Sequence, residues 1–193
     1  MSRIRYIAQA GVIAAVYCTL TLLTMQFLQA FAWGPIQLRV SEAFTVVAVL
    51  TPAAVPGLAI GSVLANALNP GALWPFAGLD VVLGSLGTLL GAVWMRRFRS
   101  NEPLALAGPV VANALIVPAY LPTLLSAFGA DIFAQFYTVP FVGVDLSGSW
   151  VAMYLFGVIA VGLGQAIVVY AVGWPLLAAL KRIGIAGFVG PKG

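Results

Sequence analysis

Residues 150–180 read WVAMYLFGVIAVGLGQAIVVYAVGWPLLAAL, an apolar stretch without a charged side chain. A helix of this length, rising about 1.5 Å per residue, exceeds the ~30 Å hydrocarbon core of a bilayer. The stretch therefore predicts a transmembrane helix that tilts or projects beyond the membrane. The whole chain agrees, since 62% of its 193 residues are hydrophobic and 7% are charged, whereas soluble domains carry about 25% charge. We expect an integral membrane protein with one membrane domain over residues 1–193.

Five further apolar segments precede this stretch. They cover residues 6–30, 39–51, 56–68, 79–95 and 103–125. Prolines and glycines lie between or within these segments, where they break or kink helices. The predicted fold is an all-α bundle of about six transmembrane helices. The second and third segments are short for a full span, and a re-entrant hairpin is the alternative for that pair. The mixed aromatic and polar stretch 126–149 is a candidate lid.

Eight of the nine basic residues lie in three clusters, at residues 3–5, 96–99 and 181–192. With six crossings, both termini and the connection between segments four and five lie on one side of the membrane. The positive-inside rule assigns that side, with the N- and C-termini, to the cytoplasm. The net charge of +4 is explained in this way, so we expect the lipid bilayer and not nucleic acid as a partner.

Arg39 is the ninth basic residue, and Glu42 follows it at the start of segment two. The i, i+3 spacing places both on one face of a helix. An ionisable residue inside a membrane indicates a functional site, because charge in hydrocarbon is costly. Glu42 can accept N–H donors from a heterocycle, and Arg39 can donate to a carbonyl or stack. The structural alternative is a snorkelling arginine beside a glutamate that favours a helix N-terminus.

On this topology further polar and aromatic residues gather near the outer face. Short helices beside long ones leave a concavity there, and it opens outward. The candidate substrate-binding residues are Trp33, Gln37, Arg39, Glu42, Asn66, Trp74, Asp80 and Asn113.

Each of these candidates has a structural alternative. Asp80 also suits the first turn of a helix, where a carboxylate complements the dipole. Asn113 lies near the middle of the bilayer, where its amide must pair with a neighbouring helix or with a solute. Trp33 and Trp74 are candidates for stacking on a planar ring, although tryptophan is also common in interfacial belts.

Small residues form stripes on three segments, and such stripes allow helices to approach closely. The stripe on segment one contains Ala10, Ala14 and Ala15. It either packs within the bundle or faces a partner protein.

The chain contains no G-x-x-x-x-G-K-[S/T] phosphate loop and no histidine. It is therefore not expected to hydrolyse ATP by itself, nor to hold a zinc-protease motif or a Ser-His-Asp triad. We expect no enzymatic activity, no metal and no cofactor.

The segment Arg39-Val40-Ser41-Glu42-Ala43-Phe44-Thr45-Val46 resembles the QueT family. The resemblance continues through residues 51–61 to Asn66 and resumes at residues 79–89, with a weaker match at 109–117. It implies a substrate-binding (S) component of an energy-coupling-factor (ECF) transporter in the prokaryotic plasma membrane. The implied cargo is a queuosine precursor, a 7-deazaguanine such as preQ0, preQ1 or queuine.

The implied partners are a transmembrane coupling subunit and two ATPase subunits. By position, Ala10, Ala14 and Ala15 match the stripe that docks on the coupling subunit in such proteins. Two departures from the family pattern are Phe44, where a smaller aliphatic residue is expected, and a longer loop at 69–78. The alternatives are an S component for another vitamin, an autonomous secondary transporter of a small heterocycle, and a structural or assembly membrane protein.

Overall fold

The protein is described by a computed structural model that covers residues 2–27, 38–69, 77–126, 129–139 and 143–184. Within these ranges the chain is helical apart from short connections and one isolated antiparallel bridge between Thr138 and Asp145. The helices are α1 (Arg3–Phe27), α2 (Val40–Leu50), α3 (Ala54–Ala67), α4 (77–97), α5 (Glu102–Ser126), α6 (Ala130–Tyr137) and α7 (Trp150–Arg182).

The predicted all-α membrane fold is confirmed. Each of the six predicted segments corresponds to a helix, and α6 lies within the mixed stretch 126–149. Three helices are long and apolar enough to cross a membrane, namely α1, α7 and the part of α5 up to Thr123. By contrast, α2 and α3 are short apolar helices.

The short helix α2 is lengthened by its winding. Residues Val40–Val46 form a 3₁₀-helix that continues into an α-helical turn at Val47–Leu50. A 3₁₀-helix rises about 2.0 Å per residue against 1.5 Å for an α-helix. The eleven residues of Val40–Leu50 therefore reach about 20 Å, roughly the length of the fourteen-residue α3.

Two helices contain wider π-helical turns, at Asp80–Gly84 in α4 and at Ile167–Gly173 in α7. The second turn packs against the 3₁₀ part of α2. A Cβ built on Gly173 would lie 2.9 Å from Val46 Cγ1, so only glycine permits this close approach.

The first and third helices pack through small residues. A Cβ built on Gly57 would lie 2.8 Å from Ala10 O, and one on Gly61 would lie 2.7 Å from Ala14 O. The i, i+4 glycines of α3 thus face the i, i+4 alanines of α1, which is the close packing that small residues allow in membranes.

The three basic clusters meet at one end of the bundle, which we call the basic end. Arg96 Nη1 in α4 donates to Val49 O in α2 across 3.1 Å, and Lys181 in α7 forms an ion pair with Glu102 in α5. Arg5 of α1 lines a groove together with residues of α2 and the end of α7. The predicted gathering of charge at one end is therefore present among residues 3–182; Lys192 lies outside the described residues.

Candidate functional site

Polar side chains from α1 to α5 meet inside the bundle. We call this group the interior polar cluster; its members are Tyr17, Arg39, Glu42, Ser62, Asn66, Asp80, Ser85, Thr88, Asn113 and Tyr120. All are buried except Arg39, whose side chain is 14% exposed. Burying such groups is costly unless they are paired, so their partners identify what the cluster can do.

Asp80 is the centre of one half of the cluster. Its Oδ1 accepts the hydroxyl of Tyr120 at 2.6 Å and lies 3.5 Å from Arg39 Nη2. Asp80 begins the π turn of α4, and Asn66 Nδ2 donates to its main-chain oxygen at 2.8 Å. A π turn disturbs the regular hydrogen-bond ladder of a helix, and such turns are frequent at functional sites. Here the amide of Asn66 supplies a partner to the displaced carbonyl.

The absence of a side chain at Gly84 leaves room for the polar groups around Asp80. A Cβ at Gly84 would lie 2.6 Å from Asp80 Oδ1, 3.0 Å from the Tyr120 hydroxyl oxygen and 3.3 Å from Asn66 Nδ2. Real Cβ atoms essentially never approach an atom at 2.6 Å. The three polar groups can therefore converge only because residue 84 has no side chain.

Glu42 is the centre of the other half. The hydroxyl of Tyr17 donates to Glu42 Oε1 at 2.5 Å, and the side chain of Glu42 is buried, with 1% of the residue exposed. Glu42 Oε2 has no hydrogen-bond partner among the described residues. Thr88 Oγ1 lies 3.5 Å from the Tyr17 hydroxyl oxygen and 3.3 Å from Ser62 Oγ, which continues the polar contacts into α3 and α4.

Asn113 is the second member of the cluster on α5, together with Tyr120. A Cβ at Gly87, the neighbour of Thr88 in sequence, would lie 2.6 Å from Asn113 Oδ1. The amide is 2% exposed, and its Nδ2 donates to no partner in the part of the chain that the structure covers. The cluster thus offers a buried acceptor at Glu42 and a buried donor at Asn113, and no group within the described ranges pairs with either.

The sequence-predicted residues fall into two groups. Arg39, Glu42, Asn66, Asp80 and Asn113 all belong to the interior polar cluster. Arg39 forms an ion pair with Asp80 of α4, a partner that its spacing from Glu42 did not predict. The remaining candidates, Trp33, Gln37 and Trp74, lie outside the described residues.

The three alanines predicted to dock on a partner separate in the structure. Ala10 and Ala14 are buried against α3 and pack within the bundle. Ala15 is exposed, and a Cβ at the neighbouring position Gly11 would meet nothing within 4 Å. Only Ala15 is accessible to another chain.

Sequence reasoning missed the two tyrosines that hydrogen-bond the carboxylates. Tyr17 lies inside the long apolar helix α1, and Tyr120 lies in α5 after Pro118. A phenol that is buried in an apolar helix usually finds a hydrogen-bond partner. Both tyrosines lie within segments that the sequence predicts to span the membrane. That position was the signal that could have identified them as hydrogen-bonding residues.

Comparison with known proteins assigns the chain to a family. The family model described as QueT transporter matches residues 7–182. The "Queuosine precursor transporter QueT" of Lactococcus lactis subsp. cremoris (strain MG1363) is 32% identical over 99 residues, an alignment that covers 49% of this chain and 54% of that protein. The match thus spans about half the length of this relative. No solved structure matches the chain. Because the family model covers nearly the whole sequence, the chain belongs to the QueT transporter family.

Proposed function

We propose that this chain is the substrate-binding (S) component of an ECF-type importer and captures a queuosine precursor at the outer face of the plasma membrane. The cargo is a 7-deazaguanine such as preQ0, preQ1 or queuine. The protein is a single membrane domain over residues 1–193, and its basic end faces the cytoplasm because arginine and lysine favour that side.

The observation that carries the proposal is the Oε2 of Glu42, which lies in a buried polar cluster and has no hydrogen-bond partner among the described residues. Leaving a buried acceptor unsatisfied costs about 1–3 kcal/mol, and more if it is charged. A guanine-like edge supplies the N–H donors that this oxygen lacks, and its carbonyl can accept from Asn113 Nδ2. The relative from Lactococcus lactis, named for queuosine-precursor transport, supports the same cargo.

Ligand binding by the purified chain tests the cargo. In detergent, calorimetry should detect binding of preQ1 or queuine and not of guanine, thiamine or riboflavin. Glu42→Gln should weaken binding by at least ~1 kcal/mol, the value of a lost hydrogen bond. Asp131→Asn is the matched control, because Asp131 is exposed on α6 and lies outside the cluster. If no deazaguanine binds, the cargo is wrong; if Glu42→Gln binds normally, Glu42 does not contact the ligand.

The proposed partners are a transmembrane coupling subunit and two ATPases. The exposed face of α1 around Ala15 and the adjacent groove of about 430 Å³ at the basic end are the proposed docking surface. Its lining is mostly apolar and includes Ala8, Val12 and Leu180. The buried residues Ala10 and Ala14 would hold α1 against α3 and so keep the exposed face of α1 in position.

Transport assays test the coupling. Proteoliposomes that contain this chain with the coupling subunit and ATPases should accumulate the ligand only when ATP is supplied. A secondary transporter is the competing function, since buried carboxylates such as Glu42 and Asp80 also serve ion coupling in membranes. Uptake by vesicles that hold this chain alone, driven by an ion gradient, would favour that function and contradict the ECF proposal.

A further inference from the structure

Gln165 of α7 is a buried polar residue that the interior polar cluster does not include. Between residues 150 and 180 it is the only asparagine, glutamine, serine, threonine or charged residue. It is 4% exposed, and its Oε1 accepts a hydrogen bond from no group among the described residues. A buried amide oxygen without a donor is costly, and the core of a bilayer holds no water to supply one. A partner for this oxygen must therefore come from inside the bundle.

Two hydrophobic cores define the level at which Gln165 lies. Val161, one turn before Gln165, packs in the core that contains Tyr120. Val169, one turn after it, packs in the core that contains Tyr17. Residues four apart lie on one face of a helix. Gln165 therefore faces the layer between the two cores, and this is the layer of the interior polar cluster, because the hydroxyls of both tyrosines bond to its carboxylates.

The packing of α7 on α5 brings Gln165 close to Asn113. A Cβ built on Gly162 of α7 would lie 3.4 Å from Ala114 Cβ of α5. The two helices run in opposite directions, since α5 begins at the basic end and α7 ends there. Gln165, three residues further along α7, is therefore level with Val111. At about 1.5 Å per residue, Asn113 lies only ~3 Å away along the bundle axis.

Gln165 and Asn113 carry complementary groups that do not meet. Gln165 Oε1 is an acceptor and Asn113 Nδ2 is a donor, and neither has a hydrogen-bond partner in the described parts of the chain. Two amides that served only to hold α5 and α7 together would bond to each other across the helix contact. A ligand with an N–H group at one position and a carbonyl at another would pair with both.

We infer that Gln165 is a ligand-binding residue whose Oε1 accepts the N–H of the five-membered ring of a 7-deazaguanine. The inference rests on the proposed function, in which Glu42 accepts the N–H donors of the six-membered ring and Asn113 donates to its carbonyl. The five-membered ring then carries the remaining ring N–H, on the side of the bicycle away from that carbonyl. In this way α7 adds a sixth helix to the site that α1 to α5 form.

Two ligands that differ in one position test this inference. They are preQ1 and the matching furo[2,3-d]pyrimidine, in which an oxygen atom replaces the N–H of the five-membered ring. The replacement keeps the size of the ligand but turns the donor into an acceptor that faces Gln165 Oε1. A site built to hydrogen-bond an N–H rejects an analogue that lacks it. Equilibrium binding to the full chain in detergent should therefore favour preQ1 by at least about tenfold.

Variants of Gln165 assign the preference to this residue. Gln165→Met keeps an unbranched side chain of similar length without the amide. It should reduce the ratio between the two ligands to within about threefold, mainly by weakening the binding of preQ1. Gln165→Leu is a second variant without the amide, should the first not fold. Gln26→Met is the matched control, because Gln26 is exposed on α1, and it should leave both affinities unchanged.

Each outcome has a distinct meaning. A preference for preQ1 that is lost in the Gln165 variants and kept in Gln26→Met supports the inference. Equal or tighter binding of the furo compound by the unmodified chain would overturn the inference and leave the deazaguanine proposal intact. A preference that persists without the amide would overturn the assignment to Gln165. Absence of binding by both ligands would overturn the proposed function together with this inference.

Discussion

Replacement of Gly84 by alanine should disrupt the interior polar cluster from within. The added Cβ would lie 2.6 Å from Asp80 Oδ1 and 3.0 Å from the Tyr120 hydroxyl oxygen. Asp80 begins the π turn that Gly84 ends, so the main chain of this turn holds both residues near each other. The clash is relieved only when the carboxylate rotates away from its partners Tyr120 and Arg39.

The expected cost follows from these contacts. Overpacking a well-packed interior costs about 1–3 kcal/mol, and losing a hydrogen bond to a charged group costs about 1.5–3 kcal/mol. The helix preference for alanine over glycine returns about 0.5–1 kcal/mol. Because neighbouring effects do not add fully, we expect a net loss of about 2–4 kcal/mol. At about 2–4 °C per kcal/mol for a chain of this size, the unfolding midpoint should fall by roughly 5–15 °C.

Cys18 provides the assay. It is the only cysteine in the chain and is buried in α1, so a thiol-reactive fluorophore reports its exposure when the purified protein is heated. Gly11→Ala is the neutral control, because a Cβ there meets nothing within 4 Å. Gly91→Ala is the packing control, because its Cβ would lie 2.8 Å from Pro109 Cα, outside the polar cluster.

The comparison of these variants separates the effect of a packing clash on stability from the effect of the polar cluster on ligand binding. Gly84→Ala and Gly91→Ala should both lower the midpoint, but only Gly84→Ala should also weaken ligand binding. If Gly84→Ala has the midpoint of Gly11→Ala, the convergence of polar groups on residue 84 does not stabilise the protein and the reasoning is refuted.

Three further substitutions test other contacts. Tyr17→Phe removes the donor to Glu42 Oε1 and should destabilise the protein by about 1–3 kcal/mol in the same thermal assay. Arg39→Gln leaves the carboxylate of Asp80 buried without its cation and should cost about 3–5 kcal/mol of unfolding free energy. Ala15→Leu enlarges an exposed residue of α1, so it should change stability by no more than ~0.5 kcal/mol and yet reduce co-purification with the coupling subunit.

Each of these predictions has a matched control. Tyr154→Phe removes an exposed hydroxyl that donates to Leu115 O, and a loss as large as that of Tyr17→Phe would contradict the special role of the buried phenol. Arg39→Gln combined with Asp80→Asn should cost less than the sum of the single changes, and strict additivity would contradict the ion pair. Ala10→Leu is the control for Ala15→Leu, because the larger side chain at residue 10 should destabilise the contact between α1 and α3. If Ala15→Leu still captures the coupling subunit as well as the unmodified chain does, the proposed docking surface is contradicted.

Hydropathy and charge were sufficient to predict every helix except α6, and the common end of the basic clusters. The apolar segment 103–125 became α5 at Glu102–Ser126, because apolar length and flanking charge determine how a helix sits in a bilayer. The same argument predicted that Arg39, Glu42 and Asp80 would be functional candidates, because charged side chains inside a membrane are costly.

The partners of these charges could not be predicted. A spacing of i, i+3 specifies neighbours on one helix only, whereas Arg39 pairs with Asp80 across to α4. The direction of Asp80 depends on the π turn that begins at this residue, and hydropathy carries no signal of such a turn. Likewise, the spacing of Ala10 and Ala14 indicated a close approach but not that the approaching helix would be α3 of the same chain.

The irregular windings and the polar cluster depend on each other. The 3₁₀ winding of α2 allows a short segment to carry Glu42 into the bundle, where Tyr17 holds it. The π turn of α4 displaces the carbonyl of Asp80, and Asn66 from α3 is placed to satisfy it. A regular α-helix in either place would need no such side chain from a neighbour, and departures from regular winding persist only where the surroundings compensate them. The two departures lie beside the two carboxylates, so the helix geometry of α2 and α4 and the chemistry of the cluster form one structural unit.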